Sequence, residues 1–173
     1  MKNRAFPILA LITAVGVTAC ESDTSTQATN NIVTFKATMT TTDEVPAPTI
    51  AAGFSPQGTF TAALDTVTNV FVYDITFSGL TSNVNNGHIH GPADPGVTAG
   101  TTINFNTLTG ASFSFGQTQG TAHGQVTLNA TTTITATING DSLKKLLLAG
   151  KTYANIHTVN NPSGEIRGQI IKQ

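Results

Sequence analysis

From residue 32 onward the chain alternates apolar and polar side chains with the period of two that a strand requires. In residues 32–39, Val33, Phe35, Ala37 and Met39 fall in step, which predicts a strand with one buried face. The same pattern recurs at 59–64 and at 70–77, where Phe71, Tyr73, Ile75 and Phe77 share a face. The polar residues 65–69 between these two runs read as a hairpin loop. Val45-Pro46-Ala47-Pro48 breaks the first alternation and is expected to run extended. Further strands are expected at 101–105, 112–115, 123–128, 132–138, 151–158 and 165–171, with 123–128 and 132–138 forming another hairpin. One short helix is predicted near 141–149. Asp141 is its candidate cap, Leu143, Leu146 and Leu147 form its apolar stripe, and Gly150 stops it. Many short strands separated by Gly, Pro, Asn and Asp predict an all-β fold, a Greek-key β-sandwich or barrel.

Before residue 32 the pattern changes. Lys2 and Arg4 precede an apolar stretch over residues 5–17 that is too short for a comfortable bilayer span, so residues 1–19 read as a signal peptide. It ends Val17-Thr18-Ala19-Cys20, which resembles the bacterial lipobox. That resemblance implies cleavage before Cys20 and acylation of its thiol, a stable membrane anchor. Residues 20–31 then form a lipidated cysteine with a polar, disordered tether, and residues 32–173 form the folded domain.

Composition narrows the function. Of 173 residues only 10% are charged, and 32 are Thr, whose branched Cβ suits a pleated surface. Eight basic residues without a basic run exclude a nucleic-acid binder. A single cysteine excludes a disulfide scaffold. Without residues 1–19 the chain keeps 6 basic and 9 acidic residues. No Gly-x-Ser-x-Gly elbow, Walker loop or dinucleotide glycine fingerprint occurs. Asp43 and Glu44 are neighbours and point oppositely on an extended segment, which disfavours a carboxylate pair. His123 reads as a strand or turn residue.

Two segments carry chemistry. In Gly87-His88-Ile89-His90-Gly91-Pro92, a strand points His88 and His90 the same way and Ile89 into the core. Two imidazoles so placed are able to ligate one metal ion. In residues 153–170 the turn chemistry at 160–164 predicts a hairpin. Setting Ile156 opposite Ile166 places Ala154, Ile156, Ile166 and Ile170 on one face. The other face then gathers Tyr153, Asn155, His157, Glu165, Arg167 and Gln169, and a slip of one residue would mix the two sets. His88, His90 and His157 are expected to converge, with Asn155, Glu165 or Arg167 around them, and the fixed charge of Arg167 argues against a bare cation there unless Glu165 pairs with it.

Val45-Pro46, Phe77-Ser-Gly-Leu80, His88-Ile-His-Gly-Pro92, the Leu-rich helix ending at Gly150, Tyr153-Ala-Asn-Ile-His-Thr158 and Gly164-Glu-Ile-Arg-Gly-Gln-Ile170 occur in that order. Together they resemble the CHRD domain, named after chordin and found in many bacterial secreted proteins, over about residues 32–172. The family's motif positions match His88, His90, Asn155, His157, Glu165 and Arg167. In chordin, growth-factor binding is attributed chiefly to separate cysteine-rich modules, which this chain lacks. A second, lesser resemblance is to Cu/Zn superoxide dismutase, through the order His88, His90, His157, Arg167. The disulfide cysteines, bridging histidine and zinc cluster of that family are missing, which argues against redox dismutation. The expectation is a binding or structural module of the bacterial envelope, periplasmic or surface-facing, held to the membrane through Cys20. Its partner would be an envelope or extracellular protein, with no nucleic acid involved. The alternative is a metal-binding or metalloenzyme domain with one Cu or Zn ion at His88, His90 and His157.

Overall fold

The computed structural model describes residues 31–108 and 110–173. The predicted leader (1–19), and Cys20 with the tether up to residue 30, lie outside the described residues. The elements are β1 (Ile32–Thr40), β2 (Gln57–Asp65), β3 (Val70–Ser78), β4 (Val84–His90), β5 (Thr101–Asn104), β6 (Ser112–Phe113), β7 (Gly120–Thr127), α1 (Gly140–Leu148), β8 (Tyr153–Thr158), β9 (Ile166–Gln169) and β10 (Ile171–Lys172). The all-β class with one short helix is the one the alternation predicts. The strands join into a single antiparallel sheet in the order β5-β4-β8-β9-β1-β2-β3-β7-β6, with β10 also pairing β1.

The sheet curls into a half-barrel around its apolar face. Phe35, Ala37 and Met39 of β1 are buried, and so are Phe71, Tyr73, Ile75 and Phe77 of β3, as their period of two requires. The two ends of the sheet approach each other. Val84 donates its N–H to Gln117 O at 2.9 Å and accepts one from Gly116 at 3.0 Å. Phe105, just after β5, packs on Tyr73 of β3 with ring centroids 5.3 Å apart, and on Phe113 of β6 at 5.9 Å. Gly87 of β4 faces this junction, and a Cβ there would lie 2.7 Å from the Phe105 ring and 2.8 Å from that of Phe113. Glycine is what lets β4 cross so close to the aromatic core.

Three sequence expectations fail here. Residues 132–138 are not a strand, and β7 pairs instead with β3, from Val70 opposite Thr127 to Phe77 opposite Gly120, and with β6. The reason is local: Asn129 Oδ1 accepts from the N–H groups of Thr131 and Thr132 at 3.1 and 3.0 Å, which closes a turn where a ladder would run. Only Thr133 and Asn139 form a bridge. The second failure is the helix cap. Asn139, not Asp141, is the N-cap, and its Oδ1 accepts the Ser142 N–H at 2.9 Å. Asp141 lies in the first turn, where its charge favours the helix N-terminus, and it pairs with Lys144 at 3.2 Å. The segment at 45–48 is also not simply extended, because the chain bends at Val45–Pro46, a cis peptide bond.

Gly150 ends α1 with φ +66°, as its candidate role requires. The helix seals the core with Leu143 and Leu147, both fully buried, while Leu146 is only partly buried and Leu148 is exposed. The core-facing stripe is therefore narrower than expected. Truncating Leu147 to Ala should cost about 2–5 kcal/mol of stability, and Leu148→Ala no more than about 0.5 kcal/mol. Urea denaturation of the two variants measures both, and equal effects would contradict this packing.

Candidate functional site

The site is built by three neighbouring strands. β8 lies between β4 and β9, and its register pairs Asn86 with His157, His88 with Asn155, and His90 with Tyr153. On its other side Asn155 pairs with Arg167, Tyr153 with Gln169, and Ile156 with Ile166. Ile89, Ala154, Ile156 and Ile166 are fully buried in the core. With side chains alternating, the opposite face carries His88 and His90, then Tyr153, Asn155 and His157, then Arg167 and Gln169.

The three imidazoles meet. His88 Nδ1 lies 3.1 Å from His157 Nε2. Ring centroids are 5.2 Å apart for His88–His90, 5.0 Å for His88–His157 and 6.2 Å for His90–His157. The order in which their protons sit follows from what each outer nitrogen touches. His90 Nδ1 lies 2.9 Å from Ala99 O, and His157 Nδ1 lies 3.0 Å from Pro162 O. A carbonyl only accepts, so both Nδ1 atoms carry the proton and both Nε2 atoms keep a lone pair. His157 Nε2 then accepts from His88 Nδ1. His90 Nε2 is buried and has no hydrogen-bond partner.

A planar stack adjoins the imidazoles. Tyr153 lies parallel to His90 with centroids 4.8 Å apart, and the Arg167 guanidinium carbon lies 3.5 Å from the Tyr153 ring centre. Two planar groups cannot share one face at these distances, so Tyr153 separates the fixed positive charge from His90. The contact of guanidinium with ring is favourable in itself. The loop between β4 and β5 closes over the stack. Arg167 Nη2 donates to Val97 O at 2.7 Å, and Ala99 N–H donates to Tyr153 Oη at 3.2 Å. Gln169 Nε2 holds the loop's base through Ala93 O at 2.9 Å and Gly150 O at 2.7 Å.

Glu165 is not part of this cluster. The ladder ends at Ile166, and the Glu165 carboxylate turns to Thr81, accepting its N–H at 2.6 Å and its hydroxyl at 2.7 Å. It also accepts from Asn161 Nδ2 at 2.8 Å and from the Thr158 hydroxyl. It pins the β8–β9 turn to the start of β4, so the Glu165–Arg167 pair that a cation site would call for does not form. The carboxylate near Arg167 is Glu44 instead. It is buried, and it accepts from Asn155 Nδ2 and from the Val45 N–H at 3.0 Å. Asp43 points away to Thr40, although the two acidic residues lie in a turn over residues 41–44 and not on an extended segment. Gly164, at φ +132°, makes room for Glu44, since a Cβ there would lie 2.3 Å from its carboxylate oxygen. In the sequence Glu44 carries no signal beyond being acidic in a weakly charged chain. The carbonyls of Val97, Ala99 and Pro162 have none at all. His123 is an exposed residue of β7, 2.8 Å from Asp74 and apart from the site.

Burial sets the protonation. It lowers His88 to about 4, helped by the adjoining His157 and His90. Burial also lowers His90 and His157, each partly offset by the carbonyl its Nδ1 meets. Glu44 is raised by burial, against the opposing pull of Val45 N–H, Asn155 and Arg167. The histidines are thus neutral at pH 7. Between their folded values and the ordinary 6.5, the unfolded chain binds more protons. The His88 contribution is therefore complete above pH 6.5 and is lost as the pH falls toward 4, and His90 and His157 act in the same direction. Glu44 acts in the opposite direction just above the ordinary carboxylate range. His88→Asn should consequently lose less stability than the parent on going from pH 7 to about pH 5, with Glu44 common to both. Urea midpoints across that range measure the difference, and parallel curves would contradict it.

A family model for the CHRD domain matches residues 35–170, from within β1 to the residue after β9. No curated protein and no solved structure matches the chain. The matched span contains His88, His90, Tyr153, Asn155, His157, Glu165 and Arg167, and it covers most of the sequence. The chain therefore belongs to the CHRD domain family.

Proposed function

We propose that this chain is a lipid-anchored, extracytoplasmic CHRD module of the bacterial envelope that works by binding rather than by turnover. The observation that carries the location is the run Val17-Thr18-Ala19-Cys20 after a basic and apolar leader, with the chain's single cysteine at the position that acylation needs. Strand β1 begins at Ile32 and lies within the sheet, between β9 and β2. The segment from Cys20 to that strand, fully extended, would hold the domain at most about 40 Å from the membrane.

The binding reading is supported by the part-exposed rim of the β4–β8–β9 face at His90, His157 and Gln169, beneath which His88, Tyr153, Asn155 and Arg167 are buried. Its polar groups are fixed in place by backbone carbonyls at Val97, Ala99 and Pro162. A surface ordered before it meets its partner loses little freedom on binding. The partner in this reading is another component of the envelope or its surroundings.

Cys20→Ser in the full chain should abolish incorporation of labelled fatty acid and leave the leader uncut by the lipoprotein peptidase. The parent should stay with membranes through a carbonate wash. Fatty-acid labelling that persists in the variant, or a parent that washes off, would overturn the anchoring.

A further inference from the structure

Beyond that reading, we infer that His88, His90 and His157 form a binding site for one divalent transition ion of the zinc or copper class. The ligand atoms are His90 Nε2, His157 Nε2 and His88 Nδ1. One nitrogen from each histidine can be chosen so that all three lie within 4.8 Å of one another.

Three independent features support it. The first is spacing. Nitrogens held 2.0–2.1 Å from a tetrahedral ion stand about 3.3 Å apart. The His88 Nδ1 to His157 Nε2 distance of 3.1 Å is already that of two ligands on one ion. With one nitrogen per ring all within 4.8 Å of one another, the remaining separations close by at most about 1.5 Å on binding.

The second is orientation. A histidine that binds a metal through one nitrogen usually donates the other N–H to a carbonyl or carboxylate, which fixes the tautomer and aims the lone pair. His90 does this through Ala99 O and His157 through Pro162 O. The buried His90 Nε2 has a lone pair and no hydrogen-bond partner. An unpartnered buried acceptor is costly, and an ion would satisfy it.

The third is charge. Neutral imidazoles without a coordinating carboxylate favour zinc or copper over magnesium or calcium, which take oxygen ligands. The fixed charge of Arg167 lies beyond the Tyr153 ring, and the buried Glu44 partly balances it. His90 and His157 are only partly buried as residues, while the His90 Nε2 atom itself is buried.

Binding requires one proton to move. His88 donates from Nδ1 to His157 Nε2 in the metal-free protein. To ligate, His88 Nδ1 gives its proton to solvent and Nε2 takes one up, so the imidazole stays neutral and no net proton is released.

The test uses the full chain in detergent, with Cys20→Ser so that no thiol competes. After chelator treatment it is titrated with Zn2+ against a chromophoric chelator and separately with Co2+. The expected result is one equivalent bound with micromolar or tighter affinity, a tetrahedral cobalt spectrum, and a rise in melting temperature with zinc. His157→Gln and His90→Gln should each weaken binding at least about 100-fold, while His123→Gln leaves it unchanged. Histidine nitrogen NMR should show His88 exchanging its tautomer on adding zinc while His90 and His157 keep theirs. If a variant loses its β-rich spectrum, the parent's cobalt spectrum and His88 tautomer decide alone. Binding weaker than about 100 µM, a loss in His123→Gln equal to that in His157→Gln, or an octahedral cobalt spectrum would overturn the site.

Discussion

The pairing of β4 with β8 is the constraint on which the site depends. Side chains alternate along each strand, so burying Ile89, Ala154 and Ile156 commits His88, His90, Tyr153, Asn155 and His157 to the opposite face. Moving either strand by one residue would put isoleucine in the polar layer and imidazole in the core, a change of several unfavourable burials at once. The pairing itself rests on Gly87, whose missing side chain lets β4 sit against Phe105 and Phe113. It is clasped at the turn end by Glu165, which ties Thr81, Thr158 and Asn161 together. The apolar core and the polar site are two faces of the same strands.

The electrostatics of that face follow from how little charge it admits. Burial keeps three imidazoles neutral, because each would lose hydration on ionising, with neighbouring rings adding to this at His88 and with His157 and Arg167 adding to it at His90. Arg167 is held by an aromatic ring and a backbone carbonyl, and the buried Glu44 interacts with its charge without forming an ion pair among the described residues. Buried charged groups in such a layer are costly to unpair. The layer is therefore ordered before any ligand arrives.

Much of this was legible in the sequence because strand periodicity is a one-dimensional signal. The register of Ile156 opposite Ile166 follows from matching apolar sets, and the structure has that register. With it come the placement of Asn155, Arg167 and Tyr153 and the meeting of His157 with the His88–His90 pair. What was illegible depends on turns and long-range partners. Asn129 closes a turn with its side chain, which turns residues 132–138 from an apparent strand into a loop. Asn139 takes the helix cap from Asp141 because it is itself extended, bridged to Thr133, and its side chain accepts the Ser142 N–H. Glu165 sits where the ladder stops, so parity no longer governs it, and its carboxylate follows the hydroxyls of Thr81 and Thr158. Glu44 reaches Asn155 across 111 positions of chain, a contact that no local pattern encodes.

The central claim is that backbone carbonyls fix the tautomers of His90 and His157, leaving both Nε2 atoms bare in the fold itself. Long-range nitrogen–proton correlation spectra of the metal-free protein test it directly, because they report which nitrogen of each histidine carries the proton. The account predicts that His90 and His157 are neutral at pH 7, protonated at Nδ1 and bare at Nε2. A proton found on Nε2 of either ring would break its bond to Ala99 O or Pro162 O and contradict the arrangement.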